Sequence, residues 1–425
     1  YEYAAANPPA MPVPFRIERR DLTKNQLLID GNTAAALGAL FGGVTFVSWY
    51  PITPSSSLVE SLMGLLEKHR RDPQTGKATF GVVQAEDEIA AIGMVLGAGW
   101  AGARSMTATS GPGISLMAEF FGYGYYAEIP GVVWDVQRVG PSTGLPTRTA
   151  QADLSFAYTI GHGDTTFPVL LPGSVTECFE YGGRAFDFAE RLQCPVFVLS
   201  DLDLGMNNWM TPPFEYPSQP FDRGKVLDDA ALEKVEKFER YRDVDGDGIP
   251  YRTLPGSKHA KGVYFTRGSG HDEAARYTES PEVYARNMDR LARKMHTARA
   301  LLPAPELREV PGADVGLIAY GSSHWAMLEA VDQLKAAGVD ASYLRVRALP
   351  LHADVHAFVN RHARVYVIEQ NRDAQLTERL RMECPERAAA IRHVLHYTGM
   401  PLDARSVTDG VLAHEGVPAT QGASR

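Results

Sequence analysis

Cysteine is scarce in this chain of 425 residues, and none of its three cysteines lies near another. Cys178, Cys194 and Cys384 show no Cys-x-x-Cys spacing, so by themselves they cannot form an iron–sulfur or structural zinc site. Because nothing in their spacing suggests a disulfide framework, a reducing, cytoplasmic compartment is the simplest interpretation. Each cysteine is therefore expected to be a small, buried apolar residue.

Clustered positive charge and long apolar runs are also missing. The formal net charge is -9, and no basic run or aromatic–basic interleaving occurs, so we expect no nucleic-acid partner. No apolar stretch reaches the roughly 18 residues that a membrane-spanning helix needs, so no membrane span is expected. The chain begins at Tyr1 with an Ala- and Pro-rich stretch typical of a linker, which indicates a fragment or processed product whose upstream part is missing.

The chain does contain apolar strands that alternate with amphipathic helices. Hydrophobic residues make up 44% of the sequence and charged residues 22%, as in a soluble protein with two or three domains. The alternation predicts a doubly wound α/β domain with a parallel sheet over 25–210 and a smaller α/β domain over 313–405. We expect 1–24 to be a linker, 211–312 a long connecting arm, and 406–425 a tail whose part after Asp409 is ordered only if a partner holds it.

Apolar runs and helical patterns give approximate bounds for most elements. The predicted strands are 45–49, 79–84, 105–109, 132–136, 168–171, 195–202, 315–320, 342–347, 365–369 and 392–397. The predicted helices include 88–99, 114–125, 228–241, 281–301, 324–337 and 354–362.

Residues 49–56 follow the first strand and place two prolines, Pro51 and Pro54, around Thr53. Proline fixes the backbone, so the strand ends in a rigid loop. Residues at the carboxyl end of a strand lie where open α/β sheets bind ligands. The loop is therefore a candidate binding segment, with an ordinary strand-to-helix turn as the alternative.

Glu88 is the last of three consecutive acidic residues that come directly after a strand and open a small-residue helix. Acidic residues at a helix N-terminus can be explained by the helix dipole alone. However, the helix that follows is apolar on nearly every face, which predicts that it is buried. A carboxylate that leads a buried helix must be paired, hydrogen-bonded or carry a raised pKa. One use for such a group is to share a proton with the nitrogen of a heterocyclic ring.

The loop 107–113 ends the next strand and combines hydroxyl groups with glycines. Glycines let a ligand approach the backbone, and hydroxyls such as those of Thr109 and Ser110 can bind a polar group. Taken alone the pattern is weak, because Ser-Gly-Pro-Gly is also common in turns.

Arg138 follows the strand 132–136 and precedes a loop of hydroxyls and glycines that includes Ser142 and Thr143. A guanidinium group is suited to bidentate recognition of a carboxylate. A structural ion pair with Glu128 or Asp135 is the alternative.

The segment 243–248 has the Asp-x-Asp-x-Asp-Gly spacing of a calcium loop. Its twelfth position is Leu254 and not Glu, so Asp243, Asp245 and Asp247 are only weak metal candidates and a solvated acidic turn is the alternative.

Together and in this order, these segments resemble the α subunit of 2-oxoacid:ferredoxin oxidoreductases, most closely the 2-oxoglutarate (KorA-type) branch. The segments 243–253, 267–271, 319–322 and 369–371 also resemble that branch, so the resemblance covers roughly residues 25–400. It implies a thiamine diphosphate pyrimidine-type domain, a connecting arm and a transketolase C-terminal-like domain. The γ-type domain that precedes the linker in larger fused α subunits is absent from the sequence.

The resemblance also implies roles for individual residues. Glu88 matches the glutamate that contacts the aminopyrimidine ring, which makes it the candidate catalytic residue. Pro51, Thr109 and Ser110 are the other candidate cofactor-binding residues. The candidate substrate-binding residues are Thr53, Arg138, Ser142 and Thr143, with Arg138 holding the carboxylate of the 2-oxoacid.

The implied cofactors include thiamine diphosphate with Mg²⁺, shared with a β subunit that carries a 4Fe-4S cluster. A diphosphate and Mg²⁺ site in this chain would need Gly246-Asp247-Gly248 to follow a strand and an asparagine that is closer to it than Asn287. Neither condition is met, so we assign the diphosphate half of the site to the β subunit. Coenzyme A is the expected co-substrate, ferredoxin the electron acceptor and an (αβ)₂ heterotetramer the expected assembly. The implied reaction is oxidative decarboxylation of 2-oxoglutarate to succinyl-CoA in the TCA cycle. The alternatives are pyruvate, a branched-chain or an aryl 2-oxoacid as substrate, or a non-catalytic β-binding paralogue.

Overall fold

The computed structural model describes residues 2–7, 18 and 20–417. The helices are α1 (Glu2–Ala6), α2 (Gly31–Phe41), α3 (Ser56–His69), α4 (Glu88–Trp100), α5 (Gly111–Leu116), α6 (Ala118–Tyr126), α7 (Leu154–Thr159), α8 (Val175–Leu192), α9 (Leu202–Met206), α10 (Asp229–Lys234), α11 (Pro281–Leu301), α12 (His324–Ala336), α13 (Ala353–Arg361), α14 (Gln375–Glu383) and α15 (Ala404–Glu415). The strands are β1 (Leu27–Asp30), β2 (Phe46–Trp49), β3 (Gly81–Gln84), β4 (Ser105–Thr109), β5 (Gly131–Gln137), β6 (Val169–Leu170), β7 (Pro195–Asp201), β8 (Asn208–Thr211), β9 (Glu306–Arg308), β10 (Val315–Tyr320), β11 (Ala341–Val346), β12 (Ala348–Leu349), β13 (Arg364–Glu369) and β14 (Ile391–Leu395).

A seven-stranded sheet forms the centre of the first α/β region, with strand order β12-β6-β7-β5-β4-β2-β3. All of its strands are parallel except β12, which pairs antiparallel with β6. Every residue of β4, β5 and β7 is buried, as expected for strands covered on both faces. Because β2, β4 and β5 are parallel neighbours, the loops that follow them emerge at one edge of the sheet.

The second α/β region has a five-stranded sheet with order β14-β13-β10-β11-β9, in which only β9 is antiparallel. The two regions are joined by a strand and by an apolar core. The strand β12 follows β11 in the chain but joins the first sheet, where Ala348 pairs with Leu170. One apolar core also includes Trp134 of the first sheet, Leu291 of α11 and Phe358 of α13. The second region is therefore packed tightly on the first.

The C-terminal segment is ordered as far as it is described. The helix α15 packs against α12, and its residues Val407, Val411 and Leu412 are fully buried in a second apolar core. The prediction that residues after Asp409 need a partner to become ordered is therefore wrong for 410–417. Apolar residues spaced four apart give this helix one face that α12 covers within the same chain. Residues 418–425 and half of the predicted linker (1, 8–17 and 19) lie outside the described residues.

The connecting arm is anchored by a buried charge cluster. The Glu128 carboxylate accepts hydrogen bonds from Arg290 (2.8 Å) and Lys294 (2.8 Å) of α11. Arg240 donates to the backbone carbonyl of Glu128 (3.0 Å). Burial by itself would raise the pKa of Glu128, but the positive charges of Arg290, Lys294 and Arg240 lower it to about 2. The arm is thus fixed to the first region by ion pairs in which Arg290 and Lys294 compensate the buried negative charge of Glu128.

Three helices differ from the sequence predictions. The helix expected over 228–241 covers only Asp229–Lys234, because Val235 adopts an extended conformation. The helix expected over 114–125 is two helices, α5 and α6, that meet at Met117. The prediction that α4 is buried on nearly every face is also wrong, since Ile89 (43%), Met94 (40%) and Trp100 (37%) are exposed. Across the part of the chain that is described, no helix is both long enough and apolar enough to span a bilayer.

Candidate functional site

The loops after β2, β4 and β5 meet at one edge of the seven-stranded sheet, as their positions in the sequence predict. The clearest link between them is a hydrogen bond of 2.7 Å from Arg138 Nη1 to the backbone carbonyl of Thr53. This bond joins two of the predicted substrate-binding residues, which are 85 positions apart in the chain. The parallel order of the strands brings them together.

The loop after β2 is anchored by Asn32, at the start of α2. The Asn32 amide donates to the carbonyl of Pro54 (2.9 Å) and to Ser57 Oγ (2.9 Å). In the same loop, Pro51 and Thr53 are exposed. Asn32 Oδ1 is buried and has no hydrogen-bond partner among the described residues. Sequence analysis missed Asn32, and its signal was an amide side chain at the start of a helix that is otherwise small and apolar apart from Thr33.

Three acidic residues open α4, and the structure separates their roles. Asp87 caps the helix by accepting a hydrogen bond from the Ala90 amide (2.7 Å). Glu86 is exposed. Glu88 is only 6% exposed, yet no described residue donates a hydrogen bond to its carboxylate. The cap therefore explains Asp87 and leaves Glu88 without a structural partner.

Gly113 brings Glu88 close to the loop after β4. A methyl group at Gly113 would overlap the hydroxyl of Thr109 and would lie 2.8 Å from Glu88 Oε1. Only glycine permits this approach. Ser110 Oγ, in the same loop as Gly113, is buried and has no hydrogen-bond partner in the described structure. Buried polar groups are normally hydrogen-bonded, so an unpaired hydroxyl in the loop that packs against an unpaired carboxylate suggests a place for a polar ligand.

Arg138 is buried, and the structural ion pairs considered for it do not form. Glu128 belongs to the charge cluster of the arm, and Asp135 accepts no hydrogen bond from Arg138. Apart from its bond to Thr53, the guanidinium keeps a buried Nε with no partner among the described residues. Burial lowers the pKa of Arg138, and the nearby charge of Asp153 opposes this effect. Arg138 therefore retains hydrogen-bonding capacity at the sheet edge.

Ser142 and Thr143 occupy a different position from the other candidates. They lie exposed in the turn that follows Arg138, between the paired residues Val139 and Leu145. The described structure shows no side-chain hydrogen bond for either residue. Both could reach a ligand only from the solvent side of the site.

The acidic turn 243–248 binds a lysine. Lys225 Nζ lies 2.6 Å from Asp245 and 2.8 Å from Asp247, and it donates to the carbonyl of Ile249 (2.9 Å). Burial acts to lower the pKa of Lys225, but these carboxylates raise it. Asp243 accepts hydrogen bonds from two backbone amides of the turn.

The described structure gives the weak metal prediction at Asp243, Asp245 and Asp247 no support, because Lys225 already pairs with Asp245 and Asp247. No group of three His, Cys, Asp or Glu residues suited to a metal ion occurs in the described part of the chain. The turn instead packs on α11, where a methyl group at Gly248 would overlap the backbone nitrogen of Lys294.

Comparison with known proteins places this geometry in a family. A family model described as pyruvate flavodoxin/ferredoxin oxidoreductase, thiamine diP-bdg matches residues 37–229. The chain is 34% identical over 405 residues to the 2-oxoacid:ferredoxin oxidoreductase subunit alpha of Saccharolobus solfataricus, which covers 92% of this chain and 62% of that protein. It is 36% identical over 353 residues to the 2-oxoglutarate synthase subunit KorA of Methanothermobacter thermautotrophicus, covering 81% and 88%. The chain thus spans less than two thirds of the first relative and most of the second.

Solved structures agree on the fold. A 2-oxoglutarate:ferredoxin oxidoreductase from Magnetococcus marinus, solved with 2-oxoglutarate, coenzyme A and succinyl-CoA bound, matches with a TM-score of 0.86 and 32% identity. The match covers 98% of this chain and 69% of that one. A split-gene transketolase matches with a TM-score of 0.51 and 12% identity over 91% of this chain and 97% of that one, which bears on the fold alone. The predicted α/β fold class is confirmed.

Proposed function

The chain belongs to the α subunits of the 2-oxoacid:ferredoxin oxidoreductase family, and on that premise we propose that it acts in the thiamine diphosphate-dependent oxidation of 2-oxoglutarate. With a β subunit it converts 2-oxoglutarate, coenzyme A and oxidised ferredoxin to succinyl-CoA, carbon dioxide and reduced ferredoxin, and the reaction can run in reverse. The observation that carries this proposal is the placement of Glu88, Ser110 and Arg138 at the same edge of the sheet, each with polar atoms that no described residue uses.

Glu88 and the loop after β4 fit the aminopyrimidine half of thiamine diphosphate. When bound, this cofactor supplies the nucleophilic carbon and the electron sink for decarboxylation of a 2-oxoacid. Glu88 would hold a proton between its carboxylate and a ring nitrogen, and its lack of a structural partner leaves it free to do so. Ser110 Oγ would meet a polar edge of the ring, and Pro51 would lie at the exposed entrance.

A β subunit completes the site in this proposal. We assign the diphosphate, its Mg²⁺ and a 4Fe-4S cluster to that subunit, because the described residues of this chain include no suitable group of metal ligands. The exposed face of α4, with Ile89, Met94 and Trp100, begins at Glu88 and offers an apolar surface for such a partner. We infer an (αβ)₂ assembly in the cytoplasm, where the three buried cysteines would stay reduced.

Arg138 and Thr53 are the proposed anchors for the carboxylate of the 2-oxoacid. The guanidinium is buried, held on one side by the Thr53 carbonyl, and has unused donor capacity on the other. A charged donor in a poorly hydrated site binds a carboxylate strongly and with defined geometry. Ser142 and Thr143 would contact the substrate from the solvent side.

The test is a kinetic comparison of 2-oxoacids with the purified αβ complex. Coenzyme A-dependent reduction of ferredoxin would be measured with 2-oxoglutarate, pyruvate, a branched-chain and an aryl 2-oxoacid. We expect the highest kcat/KM for 2-oxoglutarate. A preference for another 2-oxoacid would change the substrate and keep the chemistry. No turnover with any of them, in an intact complex loaded with cofactor, would favour the non-catalytic paralogue.

A further inference from the structure

Residues 148–153, here called the return segment, lead the chain away from the turn after β5, and the second α/β region binds them through hydrogen bonds. Gln151, within this segment, is only 1% exposed. Its amide donates to the carbonyl of Gln370 (2.9 Å). Its own carbonyl accepts hydrogen bonds from the Tyr320 hydroxyl (2.9 Å) and from Asn371 Nδ2 (3.1 Å). The second region therefore satisfies both backbone groups of this buried residue.

The side chain of Gln151 is also fully engaged. Its Nε2 donates to Asp201 Oδ2 (3.1 Å), at the end of β7, and to the Tyr320 carbonyl (3.3 Å). Its Oε1 accepts a hydrogen bond from Ser323 Oγ (3.3 Å). A methyl group at Gly321 would lie 2.5 Å from Gln151 Nε2, so the side chain packs directly on the turn after β10. Gln151 is thus fixed between the end of one sheet and the second region.

Two segments of the second region that have no part in the candidate site, 319–322 and 369–371, therefore converge on one residue of the first region. A further contact lies nearby, where the Thr149 amide donates to the Gly399 carbonyl (3.1 Å). Most of the contacts that fix the return segment thus come from a part of the chain outside the first region.

The return segment also contacts both neighbours of Arg138 in the chain. Gln137, which precedes it, accepts a hydrogen bond at Oε1 from the Asp153 amide (3.0 Å). Val139, which follows it, donates its amide to the Arg148 carbonyl (3.2 Å). The guanidinium itself is fixed within the described structure by a hydrogen bond to a backbone carbonyl. The position of Arg138 therefore depends on where the return segment lies.

We propose that Gln151 is a positioning residue through which the second α/β region holds Arg138 in place for the carboxylate of the 2-oxoacid. The inference rests on the proposed function of Arg138. A displaced return segment would shift Gln137 and Val139, and with them the guanidinium that lies between them. Such a shift weakens substrate binding and leaves Glu88 in place, so it should raise KM and change kcat little.

The test uses the assembled αβ complex loaded with thiamine diphosphate, and it measures KM for the 2-oxoacid separately from kcat. Gln151→Leu removes the side-chain hydrogen bonds and should raise KM roughly tenfold, with kcat within about threefold. Tyr320→Phe removes only the hydroxyl that binds the Gln151 carbonyl and should raise KM about fivefold. Tyr343→Phe is the matched control, because Tyr343 is also buried in the second region and its hydroxyl lies against His324 (3.3 Å). It should leave KM unchanged.

Melting temperatures separate positioning from stability, and Tyr320→Phe decides the question if Gln151→Leu fails to fold. A lower melting temperature for Tyr320→Phe with an unchanged KM would overturn the inference, as would an equal rise in KM for Tyr343→Phe. In an Arg138→Ala background, with kcat/KM measured at low substrate concentration, Tyr320→Phe should cause no further loss. A further loss as large as in the wild-type background would also overturn the inference. If Arg138→Ala alone leaves kcat/KM unchanged, the proposed function of Arg138 fails instead.

Discussion

Two buried clusters of charged residues in this chain differ in how completely they are paired. At the arm, the Glu128 carboxylate meets two cationic side chains and a third residue binds its backbone. At the sheet edge, no described residue donates a hydrogen bond to the Glu88 carboxylate. The guanidinium groups do not separate the clusters, because Arg138, Arg240 and Arg290 all have nitrogens without a partner among the described residues. Desolvation costs free energy in both clusters, but only the Glu128 carboxylate is compensated by cations of the same chain. The comparison suggests that the paired cluster stabilises the fold and the unpaired one awaits a ligand.

The largest effect on activity is expected at Glu88. In the assembled complex, Glu88→Gln should reduce kcat by at least about a hundredfold, because the carboxyl proposed to hold the ring proton is lost. The melting temperature should stay close to that of the wild type, since the carboxylate has no structural partner. Glu86→Gln, on the exposed neighbour, is the matched control. If Glu86→Gln is inactive while Glu88→Gln remains active, the wrong glutamate was assigned.

At the arm we expect a loss of stability with little loss of activity. Glu128→Gln leaves two buried cations without their anion and should destabilise the chain by about 3–5 kcal/mol, measured by denaturant unfolding. The activity of the fraction that still assembles should be close to normal. A loss of kcat without a loss of stability would contradict the division between the two clusters.

The contribution of Glu128 should also appear in the pH dependence of the free energy of unfolding. The pKa of Glu128 is depressed from 4.5 to about 2, so its contribution to stability is fully present above about pH 4.5 and is lost as the pH falls towards 2. Unfolding followed across this range should show a steeper acid loss in the wild type than in Glu128→Gln. Parallel curves would mean that the cluster does not hold Glu128 ionised.

Arg138→Ala should cost about 2–4 kcal/mol of transition-state binding, which is roughly 30- to 1000-fold in kcat/KM for the 2-oxoacid. Arg138→Lys keeps the charge but loses the planar fork, so a smaller loss is expected. Affinity for thiamine diphosphate should barely change. If Arg138→Ala keeps kcat/KM and lowers stability instead, Arg138 belongs with the structural cluster.

The smallest effect is expected at the acidic turn. Asp245→Asn weakens a contact with Lys225 at the surface and should change the free energy of unfolding by less than about 1 kcal/mol. Millimolar Ca²⁺ or Mg²⁺ should not raise the melting temperature of the chain, because Lys225 already pairs with Asp245 and Asp247. A cation-dependent increase that Asp245→Asn abolishes would restore the metal hypothesis.

Much of the fold was predictable because the strands are apolar and the sheets are parallel. The bounds of β4, α11 and β10 match the sequence predictions, and the meeting of Thr53 with Arg138 follows from strand order. Other features depend on contacts that no local pattern encodes. The strand β12 has only two residues, and Lys225 lies 22 positions from Asp247.

The most direct test of the account is calorimetric titration of thiamine diphosphate with Mg²⁺. The isolated chain, the isolated β subunit and the assembled complex would be compared under the same conditions. Because this chain is proposed to hold only the aminopyrimidine half of the site, we expect little heat from the chain alone and strong binding by the complex. Tight binding of thiamine diphosphate by the isolated chain would contradict the shared site.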